Sequence, residues 1–176
     1  MNIIVAYCKN RGIGLNGVLP WSLPRDLSRF RKLTVGNGGN AVIMGHNTWK
    51  SLPERCQPLP KRDNIVVTRS SANSVVRSSR ENVFVVGDLD AAVSLCEERK
   101  YNAVWIIGGA SIYRQFLERP EVGKVHVTCI DVEIACDTFF PVLPERYKLV
   151  SASDTTKECG VEYRFETYDC KDHVSS

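Results

Sequence analysis

The residue with most chemical promise is Asp26, in the run Pro24-Arg25-Asp26-Leu27-Ser28-Arg29-Phe30-Arg31-Lys32-Leu33-Thr34. The apolar spacing predicts a helix over 24–34, with Ser22 or Leu23 near the cap and Pro24 in the first turn, where proline is tolerated. Asp26, Phe30 and Leu33 fall at i, i+4 and i+7, so the carboxylate shares a face with apolar groups, and Leu27 borders that face. A carboxylate on an apolar face is uncommon. It can simply favour the positive end of its helix from the first turn. It can also be a desolvated group facing a ligand pocket, suited to grip an amidine-like heterocycle edge by two hydrogen bonds. Asp88, by contrast, reads as a helix cap and nothing more.

Glycines supply the other chemistry. Gly12-Ile13-Gly14-Leu15-Asn16-Gly17 follows a strand and matches the dinucleotide pattern GxGxxG. The context does not fit, because the third glycine of such a turn lies in an opening helix. Here Gly17 leads into Val18-Leu19-Pro20-Trp21, and Pro20 and Pro24 forbid a continuous helix. No acidic residue closes the next strand at Met44-Gly45. A flexible loop over a site fits better, with Leu19-Pro20-Trp21 as an apolar end that seals out water. Two further junctions, Ile43-Met44-Gly45-His46-Asn47-Thr48 and Ile106-Ile107-Gly108-Gly109-Ala110-Ser111, each put backbone N–H groups at a helix start. Such starts favour phosphate, and two of them suggest a ligand with several phosphates. Arg69, just past Thr68, adds positive charge beside them.

The elements that must position these groups alternate along the chain. Strands are expected over 3–8, 41–44, 64–68, 83–86 and 103–107, and helices over 24–34, 46–52, 88–100 and 111–117. Several of the strands are nearly continuous in Val and Ile, as in parallel sheets buried on both faces. Segments 124–131, 147–153 and 162–169 follow one another without helices and read as antiparallel strands. The expected fold is α/β: a mixed, mainly parallel sheet of about eight strands, flanked by about four helices, with an antiparallel C-terminal edge. No repeat or linker divides residues 1–176, so one domain is expected. The polar, Ser/Arg-rich residues 70–80 read as a surface loop.

Bulk properties narrow the function. A formal net charge of +3 with scattered Lys and Arg does not call for nucleic acid, though it suits an anionic small ligand. No apolar run is long enough to span a bilayer. The start, Met1-Asn2-Ile3-Ile4-Val5-Ala6-Tyr7-Cys8, reads as a strand rather than a signal peptide. The 7 cysteines form no CxxC pair, so neither a disulfide framework nor a metal site is expected. Reduced thiols in a cytoplasmic protein are the simpler reading.

Taken in order, these segments resemble the dihydrofolate reductase family from the first strand to the last. The resemblance rests on the loop from Gly12 to Trp21, Pro24-Arg25-Asp26 with Phe30, and Val42-Ile43-Met44-Gly45 leading to Thr48-Trp49. It continues through Pro58-Leu59-Pro60 with Arg62, Ile107-Gly108-Gly109, and Asp137-Thr138-Phe139-Phe140-Pro141. It implies an NADPH-dependent oxidoreductase that reduces 7,8-dihydrofolate to tetrahydrofolate for one-carbon metabolism and thymidylate and purine synthesis. It also implies a cytoplasmic monomer that antifolates inhibit.

On matching positions, the resemblance makes Asp26 the ionisable group that holds the pteridine's ring nitrogen and 2-amino group and promotes protonation at N5. Thr128 would support that contact. Leu19, Trp21 and Tyr113 would complete the catalytic surroundings. Ile4, Val5, Leu27, Phe30, Arg31, Leu52 and Leu59 would line the substrate site, and Arg62 would pair with the glutamate tail as a planar fork. Ala6, Gly12, Ile13, Gly14, Leu15, Asn16, Gly17 and Val18 would touch the cofactor from the loop. Gly45, His46, Asn47, Thr48, Thr68, Arg69 and Ser70 would bind its phosphates and adenosine half. The carbonyls of Ile4 and Ile107 would frame the nicotinamide. Gly108, Gly109, Ala110, Ser111, Ile112 and Tyr113 would complete that end, with Gly108-Gly109 a bend that is usually a cis peptide.

Two departures stand out. Asp at position 26 is bacterial in type, whereas the segments 36–40, 53–57 and 137–141 look eukaryotic. His46-Asn47 stands where many members carry Lys or Arg, which leans phosphate binding on Arg69. Asp26 with Phe30 and Arg62 suits a pteridine with a glutamate tail better than the pyrimidine of a related riboflavin-pathway reductase. The same constellation argues against a non-catalytic nucleotide-binding module.

Overall fold

The computed structural model describes residues 1–69 and 81–171. The expected surface loop over 70–80 and the cofactor contact expected of Ser70 lie outside those residues.

Parallel strands need crossovers, and the chain supplies them with helices. β1 (Asn2–Cys8) is followed by the short β2 (Gly12–Gly14), α1 (Pro24–Val35), β3 (Ala41–Gly45) and α2 (His46–Ser51). Then come β4 (Asp63–Val67), β5 (Val83–Val86), α3 (Leu89–Arg99), β6 (Val104–Ile106) and α4 (Ala110–Leu117). The chain closes with β7 (Lys124–Ile130), β8 (Thr138–Phe139), β9 (Tyr147–Ala152), β10 (Thr156–Glu158) and β11 (Val161–Cys170).

The main sheet runs β10-β11-β7-β1-β6-β3-β4-β5, and β9 pairs with the C-terminal half of β11, off this path. β7, β1, β6, β3, β4 and β5 are mutually parallel. β11 runs antiparallel to β7, and β9 and β10 antiparallel to β11. This is the mixed α/β sheet with an antiparallel C-terminal edge that the pattern predicts. The reversal starts one strand later than the run of helix-free segments suggests, since Ala6 pairs in parallel with Thr128.

Two apolar layers clamp the sheet. One packs Ile3, Val5, Ile43 and Ile106 under α3 and α4, with Ala92, Val93, Ile112 and Phe116 buried. The other packs Ile4, Val42, Met44, Val66 and Trp105 against Trp49 of α2 and Phe30 and Leu33 of α1. The alternation of β1 sends Ile4 and Val5 into opposite layers. Asp88 accepts a hydrogen bond from Ala91 N at 2.8 Å, the cap its position implies. Among the described residues no helix is long and apolar enough to cross a membrane.

The Gly12–Gly17 segment is more ordered in shape than a flexible loop. β2 pairs antiparallel with β8. Leu15 and Val18 then exchange backbone hydrogen bonds of 3.0 and 3.1 Å around Asn16 and Gly17. Both turn residues have positive φ, 51° and 79°, the requirement of a tight hairpin that Asn-Gly meets at little steric cost.

Candidate active site

Asp26 lies in the first turn of α1 and is half-buried against β7. Its Oδ1 accepts a hydrogen bond from Thr128 Oγ1 at 2.6 Å. Burial pushes its carboxyl above the usual carboxylate range. The Thr128 hydrogen bond and the Arg29 charge pull against that shift, while Glu158 adds to it. Glu158 reaches this corner from β10. Its carboxylate accepts from Arg25 N at 3.3 and 3.2 Å and from Tyr163 Oη at 3.1 Å. The start of α1 has no cap from its own flanking residue Leu23, so a distant strand supplies the acceptor that the helix end needs.

Of the residues expected along the substrate, Ile4, Phe30, Leu52 and Leu59 fall in one apolar cluster beside α1. Val5 does not join them, because its side chain enters the opposite layer. Leu27 is 52% exposed on the rim, and Arg31 is exposed beside it. Arg62 is buried, with Nε donating to the Pro60 carbonyl at 3.1 Å and Nη1 donating to Thr34 Oγ1. Its guanidinium lies 5.7 Å from the Phe30 ring centre. Burial, with Arg31 nearby, pulls its pKa down to about 10.

The two glycine junctions face each other. Gly45 N donates to the Gly108 carbonyl at 2.8 Å, which locks the end of β3 to the turn after β6. α2 and α4 begin at Gly45 and Gly109 without side-chain caps. A Cβ on Gly45 would stand 3.1 Å from Ile112 Cγ1, and one on Gly109 would stand 3.2 Å from Thr48 Oγ1. The Gly108-Gly109 peptide is cis, and Gly108 has φ 110°. Tyr113 Oη donates to the Ile4 carbonyl at 2.8 Å, joining α4 to β1. His46, Asn47, Thr48, Ala110 and Ser111 surround these helix starts. Ile107 follows β6, and its N–H donates to the Ile43 carbonyl at 3.0 Å. Thr68 N donates to the Val86 carbonyl at 2.9 Å, and Arg69 beyond it is exposed. Carbonyl ends of parallel strands beside helix N-termini are where open α/β sheets take nucleotides. The chemistry of this cradle fits a dinucleotide's phosphates: small residues and helix starts without side-chain caps.

Asn16 N donates to Asp137 Oδ2 at 2.7 Å, tying the Leu15–Val18 turn to the residue before β8. Val18 and Leu19 are exposed at 62% and 52%. Trp21 packs with Ala6, Leu23 and Ile130. Its Nε1 is buried and has no hydrogen-bond partner among the described residues.

Four residues at the site are assigned no role from sequence: Arg29, Glu158, Asp137 and Asn64. Asn64 holds the 59–62 turn, accepting from Leu59 N at 2.9 Å and donating to the carbonyls of Leu59 and Arg62 at 3.0 Å each. Only the pairing of Asp26 with Arg29 at i, i+3 is visible locally. The others depend on contacts between distant segments.

Comparison with known proteins shows the family. The family model described as dihydrofolate reductase matches residues 1–170. A dihydrofolate reductase of Heliothis virescens is 39% identical, covering 96% of each chain. That of Sus scrofa is also 39% identical, over 96% of this chain and 97% of the relative. A bifunctional dihydrofolate reductase-thymidylate synthase of Daucus carota is 39% identical over 94% of this chain, which spans only 33% of that longer protein.

Proposed function

The chain belongs to the dihydrofolate reductase family and reduces dihydrofolate to tetrahydrofolate, and from that premise we propose which of its residues carry the reaction. The cofactor is NADPH, which when bound supplies the hydride. Gly45, Gly108 and Gly109 let the backbone approach it closely, and the starts of α2 and α4 hold its phosphates. Arg69 adds charge for the phosphate on the adenosine ribose. The observation that carries the site assignment is the Thr128–Asp26 hydrogen bond on the face that α1 turns toward β7.

Asp26 grips the 2-amino group and the adjacent ring nitrogen of the pteridine and promotes protonation at N5. Thr128 fixes which way the carboxylate turns. Ile4, Phe30, Leu52 and Leu59 cover the ring system and exclude water. Arg62 holds the α-carboxylate of the glutamate tail. Leu19 and Trp21 close the loop side, and Tyr113 holds the Ile4 carbonyl in place beside the nicotinamide. Antifolates that carry an amidine-like edge compete for Asp26. The chain acts as one domain and as a monomer. A cytoplasmic setting suits its 7 free cysteines.

The test is direct. Mixing the protein with dihydrofolate and NADPH should bleach the near-ultraviolet nicotinamide absorbance, and either compound alone should not. NADH supporting the reaction as well as NADPH would overturn the cofactor assignment. Full activity in Asp26→Asn would overturn the site.

A further inference from the structure

Arg29 lies one helical turn past Asp26 on α1 and has no role in the reading above. Its guanidinium sits over the Phe165 ring at 4.4 Å. Phe165 is the register partner of Thr128 across β11 and β7, and Thr128 is the donor to Asp26. The circuit therefore closes: the helix turn joins Asp26 to Arg29, Phe165 seats the guanidinium, and the strand pair returns to Thr128. Arg29 Nη1 is buried and finds no hydrogen-bond acceptor among the described residues. The Phe165 ring is thus the contact that seats the guanidinium, and no close ion pair fixes where its charge acts.

We infer that Arg29 is a positioning residue for the reaction, the internal counter-cation that keeps the Asp26 carboxylate charged in a site that removes it from water. This rests on the reading of Asp26 as the group that grips the substrate. Among the described residues the groups around Asp26 are few. Arg25 and Arg29 stand on its own helix, Thr128 on β7, Glu158 on β10 and Tyr163 on β11. Glu158 is anionic and opposes ionisation of Asp26, and it is engaged with Arg25 N and Tyr163. His126, on β7 two residues before Thr128, is no substitute cation. Burial first, then the charges of Arg29 and Lys124, push its imidazole down to about 4, so it is neutral near pH 7. Arg29 keeps its charge even when partly desolvated. It acts on Asp26 through space rather than by a close ion pair, which leaves both carboxylate oxygens free for Thr128 and the substrate.

The experiment compares wild type with Arg29→Met, which keeps an apolar stem over Phe165, Arg29→Gln, a second neutral variant, and Arg29→Lys, which restores charge. The Asp26 carboxyl is titrated by carbon-13 NMR in the ligand-free protein, with its signal assigned from Asp26→Asn. Single-turnover hydride transfer is measured across the same pH range. Loss of the cation should raise the proton affinity of Asp26 by about tenfold. The pH dependence of hydride transfer should move to higher pH in step, and Lys should reverse both shifts. Unchanged titration in either folded neutral variant would overturn the proposal and leave Arg29 as packing for Phe165. If Asp26→Asn transfers hydride normally, the reading of the site fails, while the carboxyl titration still decides the role of Arg29.

Discussion

Thr128 Oγ1 donates to Asp26 Oδ1 across 2.6 Å, although 102 positions separate the two residues. The bond fixes how the carboxylate turns. Hydride reaches C6 of dihydrofolate productively only when N5 is protonated. Asp26→Asn, which keeps shape but cannot ionise, should lose orders of magnitude in hydride transfer at neutral pH. It should regain part of this in acid, where dihydrofolate is protonated in solution before it binds. Single-turnover kinetics keeps product release from masking the step. Thr128→Val should weaken dihydrofolate binding by about one to two decades, the size of a hydrogen bond to a charged group. Unaltered binding in Thr128→Val would show that Asp26 orients itself without help.

The same burial makes Asp26 a stability cost. Its carboxyl is raised chiefly by desolvation, so the folded chain holds this proton more tightly than the unfolded chain does. A raised folded-state value contributes stability that is fully present below the unfolded pKa and is lost as pH rises through the folded one. Near neutral pH the ionised group therefore opposes folding. In urea unfolding, Asp26→Asn should be more stable than wild type at neutral pH. The advantage should vanish as pH falls below the ordinary carboxylate range. A variant less stable than wild type at neutral pH would mean that the Thr128 bond and the Arg29 charge outweigh burial.

Of the glycine pair, Gly108 should be the less tolerant. Its φ is 110°, and an added Cβ would stand 3.0 Å from Tyr113 Cε2. Gly108→Ala should cost about 1–3 kcal/mol in backbone strain and should push Tyr113 off the Ile4 carbonyl. Gly109 has an ordinary φ of −84°, and its added Cβ would meet only Thr48 Oγ1, at 3.2 Å. Thermal unfolding with a cofactor titration should show the larger loss in Gly108→Ala. A larger loss in Gly109→Ala would place the tight approach at the α4 start instead.

What the sequence made legible was local. The spacing of Asp26 and Phe30, the two strand–glycine–helix junctions and the Asp88 cap each depend on residues within one or two turns of each other. The alternation of β1 also implies that the side chains of Ile4 and Val5 point to opposite faces of the sheet, and the structure separates them. Other features depend on register between distant strands. Glu158 reaches the start of α1 only because β10 folds back on β11, and a strand as short as Thr156–Glu158 has no periodicity to read. Phe165 meets Thr128 through pairing that no local pattern sets, so the seat of Arg29 was hidden. Asn16-Gly17 did carry a hairpin signal, but the contact of that turn with Asp137 joins segments 121 positions apart.

Arg69 should set cofactor choice. It is exposed just past β4, and the α2 junction carries His46-Asn47 rather than a Lys or Arg. A hydrogen bond between a charged donor and phosphate is worth about 1.5–3 kcal/mol, one to two decades in affinity. Arg69→Ala should weaken NADPH by that factor and leave NADH nearly unchanged in a fluorescence titration. Equal loss for both cofactors would show that the ribose phosphate is read elsewhere.

The tail-binding role proposed for Arg62 can be separated from its structural one by substitution. Arg62 should recognise the glutamate tail, and it also braces the fold, since its donors reach Pro60 O and Thr34 Oγ1 from a buried position. Arg62→Leu should raise the KM for dihydrofolate by orders of magnitude. Removing its buried hydrogen bonds should also lower stability by about 1–3 kcal/mol. A diaminopyrimidine inhibitor without a glutamate should bind almost as before, because it makes no use of the guanidinium fork. Arg62→Lys keeps a charge but not the planar pair of donors, so it should recover little of the KM. If the inhibitor and dihydrofolate lost affinity alike in Arg62→Leu, the bracing duty would account for the whole effect, and the tail would be held by another group.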